Sequence, residues 1–94
     1  MRKYELVSIV HPDLDEAAFT AVIEKVKGWI AEASGSVDKI DIWGRKRLAY
    51  PIKKQREGQY VLFNVSLEPT AIITLDQNLR FLEPVIRYML TAVD

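Results

Sequence analysis

Basic side chains concentrated in one short segment are the feature of this sequence with the clearest chemistry. Six of the thirteen Lys and Arg residues fall within twelve positions, with no acidic residue between them: Arg45, Lys46, Arg47, Lys53, Lys54 and Arg56. Such a run favours binding to a phosphate backbone, because each phosphate that is neutralised releases counterions. Tyr50, in the middle of the run, could stack on an unpaired base. The alternative, equally weighted on charge alone, is a solvent-exposed strand edge that lysine and arginine protect from aggregation.

Catalytic and metal-binding patterns are weak by comparison. The chain has no cysteine, which excludes disulfides, thiolate metal sites and thiol catalysis. His11 is the single histidine, and the turn chemistry of His-Pro-Asp before a helix explains it better than a metal or acid–base role. The sequence contains no glycine-rich phosphate loop and no serine in a strand-turn-helix context. We therefore expect no enzyme, no metal and no cofactor.

Length and composition set the frame for these side chains. Ninety-four residues, 49% of them hydrophobic, fit one domain over residues 1–94. Thirteen basic and thirteen acidic residues cancel, so only the distribution of charge can indicate an anionic partner. The first apolar run is too short to span a membrane and lacks a small-residue cleavage site. A cytoplasmic protein is expected.

Hydrophobic periodicity predicts the elements that position the basic run. Strands are expected over residues 3–10, 37–50, 59–67 and 85–93, and helices over residues 13–34 and 69–84. Asp13 and Glu16 have the spacing of a capping box at the start of the first helix. Gly44 lies where a bulge would let a long second strand twist. The polar stretch 51–58, bracketed by proline and glycine, is expected to be the hairpin turn.

The order βαββαβ predicts an α+β fold of the split βαβ type, with two helices on one face of a four-stranded antiparallel sheet. The third strand sorts into two faces, but the first and fourth do not. On the first, Tyr4, Leu6 and Val10 compete with Val7 and Ile9 for the core. If both faces are partly apolar, the open face should meet a partner.

Three aromatic signals leave their alternatives open. The stretch 56–63 loosely echoes the third-strand signature of RNA-recognition domains, but an ordinary hairpin strand explains it better. Trp29 is expected to be partly buried in the core beside Val26 and Ile30. Trp43, before Gly44, is balanced between packing at the sheet edge and contact with a partner.

A longer pattern resembles a known family. Residues 44–53, Gly-Arg-Lys-Arg-Leu-Ala-Tyr-Pro-Ile-Lys, look like the signature segment of the sixth protein of the bacterial small ribosomal subunit. The opening residues 1–5, the turn 11–13, the strand 60–62 and the late segment 85–87 resemble the same family in order and spacing. The likeness covers nearly the whole chain.

The resemblance implies a ferredoxin-like fold, no catalysis, binding to the central domain of 16S ribosomal RNA, and a heterodimer with the eighteenth small-subunit protein. It implies structural roles for Leu48 and Ile52 in the core, Gly44 in the backbone and Pro51 in the turn. The implied RNA-binding residues are Arg2, Lys3, Arg45, Lys46, Arg47 and Tyr50 in the matched segments, together with Lys53, Lys54 and Arg87. Family members often continue in a polar tail beyond the last strand, whereas this sequence stops at Asp94, so the resemblance assigns no residue here to the contacts of such a tail.

Two other functions suit the same topology. A small ligand-binding or regulatory module would need a pocket and would not need six basic residues on one hairpin. A hydrolase of the acyl-phosphate type would need an arginine in a tight anion loop after the first strand, where residues 11–14 offer an acid instead.

Overall fold

The computed structural model describes residues 1–93, and Asp94, where the sequence ends, lies outside the described residues. The strands are β1 (Arg2–Val10), β2 (Ser36–Ile52), β3 (Gln55–Leu67) and β4 (Val85–Ala92). The helices are α1 (Glu16–Glu32) and α2 (Ile72–Arg80), the second preceded by a 3-10 turn over Pro69–Ala71. The sheet order is β2-β3-β1-β4 and every pairing is antiparallel, which confirms the ferredoxin-like split βαβ fold.

The main core lies between the helices and one face of the sheet. On β1, Tyr4, Leu6 and Val10 are buried on this face, and Leu6 pairs with Phe63 of β3. The helices contribute buried residues at helical spacing: Val22, Val26 and Ile30 from α1, and Leu75 and Leu79 from α2. Trp29 packs against this core half-buried, as expected.

The ambiguity of the first strand has a structural cause. β1 is a central strand, and both of its faces are partly covered, one by the helices and the other by residues of β2 and β4. Ile9 is buried on the face opposite the helices, in a second cluster with Leu48 and Ile86. This open face is therefore partly covered, and the alternation of β1 does not show which side is the core.

The cap of α1 corrects one prediction. Asp15, not Asp13, is the N-cap: its carboxylate accepts a hydrogen bond from the backbone N–H of Ala18 at 2.7 Å. The backbone N–H of Asp13 instead donates to Nδ1 of His11 at 3.1 Å, which tightens the preceding turn. Both aspartates suit a cap, and the position where the chain leaves β1 selects the later one.

The hairpin between β2 and β3 also differs from its prediction. β2 continues to Ile52 and β3 begins at Gln55, so the turn is only Lys53–Lys54, with φ angles of 48° and 67°. Pro51 lies within β2 rather than in the turn, and the β2–β3 register breaks between Arg47 and Ile52. Polarity predicted a loop here because this end of the hairpin is exposed and shows no apolar alternation.

No helix within residues 1–93 has the length and apolarity needed to cross a bilayer.

Candidate nucleic-acid interface

The basic run lies on the end of the β2–β3 hairpin, which we call the basic arm (residues 45–57). The arm contains six basic residues and one acidic residue, a net charge of +5, so the rest of the neutral chain carries −5. Gly44 precedes the arm at a β-bulge, with a φ of 84° that glycine adopts without strain, as the sequence indicated. The sheet therefore carries most of its positive charge at one end of one hairpin.

Local ion pairs divide the arm into two kinds of cation. Arg45 pairs with Glu57 across the hairpin at 2.6 Å and with Asp13 at 3.8 Å. The other arm cations are exposed and make no ion pair within residues 1–93: Lys46, Arg47, Lys53, Lys54 and Arg56. Exposed cations without an acidic partner are free to bind phosphate, whereas Arg45 would first have to share its charge with Glu57.

The arm is anchored to the open face of the sheet. Leu48 is 8% exposed and packs against Ile9 of β1 and Ile86 of β4, and Ile52 packs against the same cluster. Tyr50 reaches farther, and its hydroxyl accepts a hydrogen bond of 2.6 Å from the Arg87 guanidinium on β4. Because β2 and β4 are opposite edges of the sheet, residues 48–52 must cross over β3 and β1 to make these contacts.

Arg2 and Lys3 lie apart from the arm. Both are at the start of β1, where Lys3 pairs with Ser66, whereas the arm meets β1 near Val10, which pairs with Gln59. Seven residues of strand separate Lys3 from Val10, a span of about 23 Å at the usual rise of about 3.3 Å per residue. The nine predicted residues thus form two groups rather than one continuous patch.

Near Lys3, a polar cluster fixes the start of β2. Asp38 accepts hydrogen bonds from the hydroxyls of Ser66 at 2.7 Å and Ser36 at 3.0 Å. These bonds, chiefly that from Ser66, lower the pKa of Asp38 below its ordinary value, and the charge of Lys3 adds to the effect.

The uncovered half of the open face carries exposed apolar side chains. Met89 is 57% exposed beside its strand partner Val7, which is half-buried. Together with Tyr50, Tyr60 and Arg87 they line a groove of 220 Å³ next to the arm. A half-covered apolar face of this kind is a suitable docking surface for a second protein.

Two residues of this end of the sheet were not among the predicted site residues. Arg56 belongs to the basic run but falls outside the segment that resembles the family. Trp43 is 48% exposed and stacks on Tyr60, with ring centroids 6.2 Å apart and planes at 15°. One face of its indole thus packs at the sheet edge while the rest is open to solvent. Sequence spacing could not distinguish packing at the sheet edge from contact with a partner.

The geometry gives little support to a metal-binding or catalytic role. No group of three or more His, Cys, Asp or Glu side chains within residues 1–93 could hold a metal ion. The Tyr88 hydroxyl donates a hydrogen bond of 2.7 Å to the Asp76 carboxylate. Burial is the main cause that raises the pKa of Tyr88, and this hydrogen bond adds to it. The pair joins α2 to β4 beneath the helices. We interpret it as structural.

Comparisons with known proteins agree with this architecture. The family model described as Ribosomal protein S6 matches residues 3–92. Small ribosomal subunit protein bS6 of Clostridium botulinum is 46% identical over 90 residues, 96% of each chain. The protein of the same name from Moorella thermoacetica is 42% identical over 94 residues, which covers 100% of this chain and 96% of the relative. The crystal structure of 30S ribosomal protein S6 from Thermotoga maritima matches with a TM-score of 0.92 and 29% identity, over 98% of this chain and 87% of that chain.

Proposed function

The chain belongs to the ribosomal protein S6 family, and we propose that it binds the central domain of 16S ribosomal RNA as a heterodimer with the eighteenth protein of the small subunit. Its place in this family makes it a structural, non-enzymatic component of the small ribosomal subunit in the cytoplasm. Beyond this family role, we propose the RNA domain, the partner protein and the residues that contact them.

The observation that carries RNA binding is the set of exposed cations on the basic arm that lack acidic partners. These cations are proposed to contact phosphates, with Tyr50 and Arg87 beside them: Lys46, Arg47, Lys53, Lys54 and Arg56. Arg45 is proposed to contribute through the part of its guanidinium that Glu57 does not occupy. Arg2 and Lys3 are proposed to touch a separate stretch of backbone, because they lie at the far end of β1.

The partner protein is proposed to dock on the uncovered half of the open face. Exposed Met89 and half-buried Val7 supply apolar contact area there, and the partner would add positive charge to a chain that is neutral overall. By binding one fold of the RNA junction better than its open forms, the pair would shift the RNA toward that fold.

The alternative of a small ligand-binding module is disfavoured by cavity size. The cavity between the helices and β3, the least open to solvent, is lined by Trp29, Leu67 and Leu75 among others and has a volume of 20 Å³. Sites for small organic ligands usually measure roughly 300–1,000 Å³. The depressions within this range are open to solvent: 480 Å³ beside Gly28 and Gly35, 390 Å³ beside Ile73 and Arg80, and 320 Å³ beside His11 and Pro84.

The test is binding to a central-domain RNA fragment, with and without the partner protein, across a salt series. We expect native binding to need the partner, and K46A/R47A to lower the slope of log affinity against log salt by about 0.7–0.9 per lost phosphate contact. K25A on α1 removes an exposed charge from the helix layer and is the matched control. Equal slopes for all three proteins would refute an RNA role for the arm.

A separate pair of variants tests the docking face. Met89→Glu should prevent heterodimer formation in gel filtration, because it places a charge in the proposed apolar contact. Ile73→Glu makes the same change at an exposed apolar residue of α2, 67% exposed, and should leave the heterodimer intact. Loss of the heterodimer with Ile73→Glu alone would move the docking surface to the helix layer.

A further inference from the structure

We infer that Tyr50 and Arg87 form one binding site for a single unpaired nucleotide, in which the tyrosine ring stacks on the base and the arginine binds the adjoining phosphate. This inference rests on the proposed RNA-binding function and deepens it. The two residues then act together rather than as separate contacts. The Tyr50 hydroxyl is a positioning group for Arg87.

The geometry places two distant residues side by side. Tyr50 and Arg87 are 37 residues apart in sequence and lie on opposite edge strands of the sheet. The Arg87 guanidinium nevertheless donates to the Tyr50 hydroxyl at 2.6 Å, because residues 48–52 cross the open face. This hydrogen bond brings the tyrosine ring and the guanidinium side by side on the open face.

The guanidinium donors and the aromatic surface that this bond leaves available suit a nucleotide. A guanidinium has five N–H donors in a planar fork that matches phosphate oxygens, so one bond to a hydroxyl leaves most of them available. Arg87 makes no ion pair with any of residues 1–93. Tyr50 remains 57% exposed, and an exposed aromatic face is the usual platform for an unpaired base.

Apolar packing anchors the arm close to this pair. Leu48, Ile9 and Ile86 form the buried cluster that anchors the arm two residues before Tyr50. A site that is already assembled loses less conformational entropy on binding. The arm supplies a net charge of +5 nearby, which favours an anionic ligand over an apolar peptide.

The experiment is a double-mutant cycle measured with the central-domain RNA fragment and the partner protein. Arg87→Ala should weaken binding by about 10- to 150-fold, the range for a hydrogen bond to a charged group, and should lower the salt slope by about 0.7–0.9. Tyr50→Phe keeps the ring and removes the hydroxyl, and it should weaken binding by about 2- to 12-fold. In the Arg87→Ala background Tyr50→Phe should cause no further loss, because the hydroxyl acts only through Arg87.

Three further variants separate this site from simpler explanations. Tyr50→Ala should cost about 5- to 150-fold through lost stacking, in either background. Arg87→Lys keeps the charge but loses the planar guanidinium with its paired N–H donors. It should therefore have the same slope of log affinity against log salt as the native protein, while its affinity stays low. Arg47→Ala combined with Arg87→Ala should be additive, because no contact joins these two residues in the described chain.

Each remaining outcome overturns the inference. If the losses from Tyr50→Phe and Arg87→Ala add, the two residues are independent contacts and there is no common site. If neither variant changes RNA affinity while K46A/R47A does, RNA binding by the arm stands and the nucleotide site is wrong. If both variants weaken the heterodimer in the absence of RNA, the pair belongs to the protein interface instead. If native protein and partner bind no RNA at all, the proposed function fails, and this inference with it.

Discussion

Replacing Leu48 with alanine tests whether apolar packing holds the basic arm against the sheet. Leu48 is 8% exposed and contacts a small cluster, Ile9 and Ile86, on a face that is otherwise partly open. Leucine-to-alanine changes in protein cores cost roughly 2–5 kcal/mol, and the cost is lower where the site can collapse or admit water. We therefore expect Leu48→Ala to lower the free energy of unfolding by about 2–3 kcal/mol.

The same loss can be expressed as a melting temperature. An unfolding entropy of about 2.1 cal/mol/K per residue gives about 0.2 kcal/mol/K for a chain of this size, so each kcal/mol shifts Tm by about 5 °C. Leu48→Ala should then melt about 10–15 °C below the native protein. Urea titration followed by circular dichroism measures the free energy directly, provided that the slope against denaturant is unchanged.

Ile42 supplies the matched control, since it lies on the same strand and is 58% exposed. Ile42→Ala should cost less than about 1 kcal/mol, because little apolar area is lost from the interior. Equal losses for the two variants would refute the anchoring role of Leu48. The arm would then be held only by hairpin hydrogen bonds, and the contact between Tyr50 and Arg87 would need another explanation.

Three further changes have definite expected outcomes. The Ser8 hydroxyl is buried without a hydrogen-bond partner among residues 1–93, so Ser8→Ala should stabilise the fold by up to about 1 kcal/mol in urea titration, and a loss above about 1 kcal/mol would show that the hydroxyl has a partner. Lys53→Asn with Lys54→Gly should stabilise the hairpin by about 1–2 kcal/mol, because both lysines have positive φ in a two-residue turn that Asn-Gly prefers; unchanged stability would show that these angles cost nothing. Asp38→Asn should flatten the acid limb of a stability–pH curve: the pKa of Asp38 is lowered by folding, so its contribution is complete above its ordinary pKa of 3.8 and is lost as pH falls through the lower folded value. Parallel curves for Asp38→Asn and native protein below about pH 4 would contradict that linkage to Ser66.

The order of the elements could be predicted because most of them follow simple periodicity. Val61, Phe63, Val65 and Leu67 alternate along β3, and all four are buried on the helix side. Pro69 marks the start of the second helical segment, although its first turn is a 3-10 helix. These signals depend on local pattern alone, and local pattern was sufficient for them.

Prediction failed where long-range contacts decide the local structure. The polar end of the hairpin is strand rather than loop because Leu48 and Ile52 pack on residues far away in sequence. Asp13 and Asp15 are equally good caps in the sequence, and the path of the chain after β1 selects Asp15. Neither outcome can be obtained from the period of a short segment.

The candidate site was predictable in composition but not in arrangement. The charge run identifies all six arm cations from sequence alone, and the family signature covers four of them. The pairing of Arg45 with Glu57 could not be predicted, because these residues are twelve positions apart in the sequence. They meet only through the register in which β2 pairs with β3. The contact between Tyr50 and Arg87 depends on the sheet order, which places their two strands at opposite edges and makes the arm cross between them.

A neutral chain can still bind RNA strongly, because salt-dependent affinity depends on local charge rather than on net charge. The arm carries +5 and the rest of the chain −5, so an approaching phosphate backbone is attracted to one end of the sheet and repelled by the remainder. At a screening length of about 8 Å in physiological salt, the two regions act almost independently. Such a charge distribution orients the protein on the RNA, which a uniformly basic surface would not do. It follows that reversing acidic residues of α1, such as Glu24, should raise affinity for all RNAs and reduce the preference for one of them.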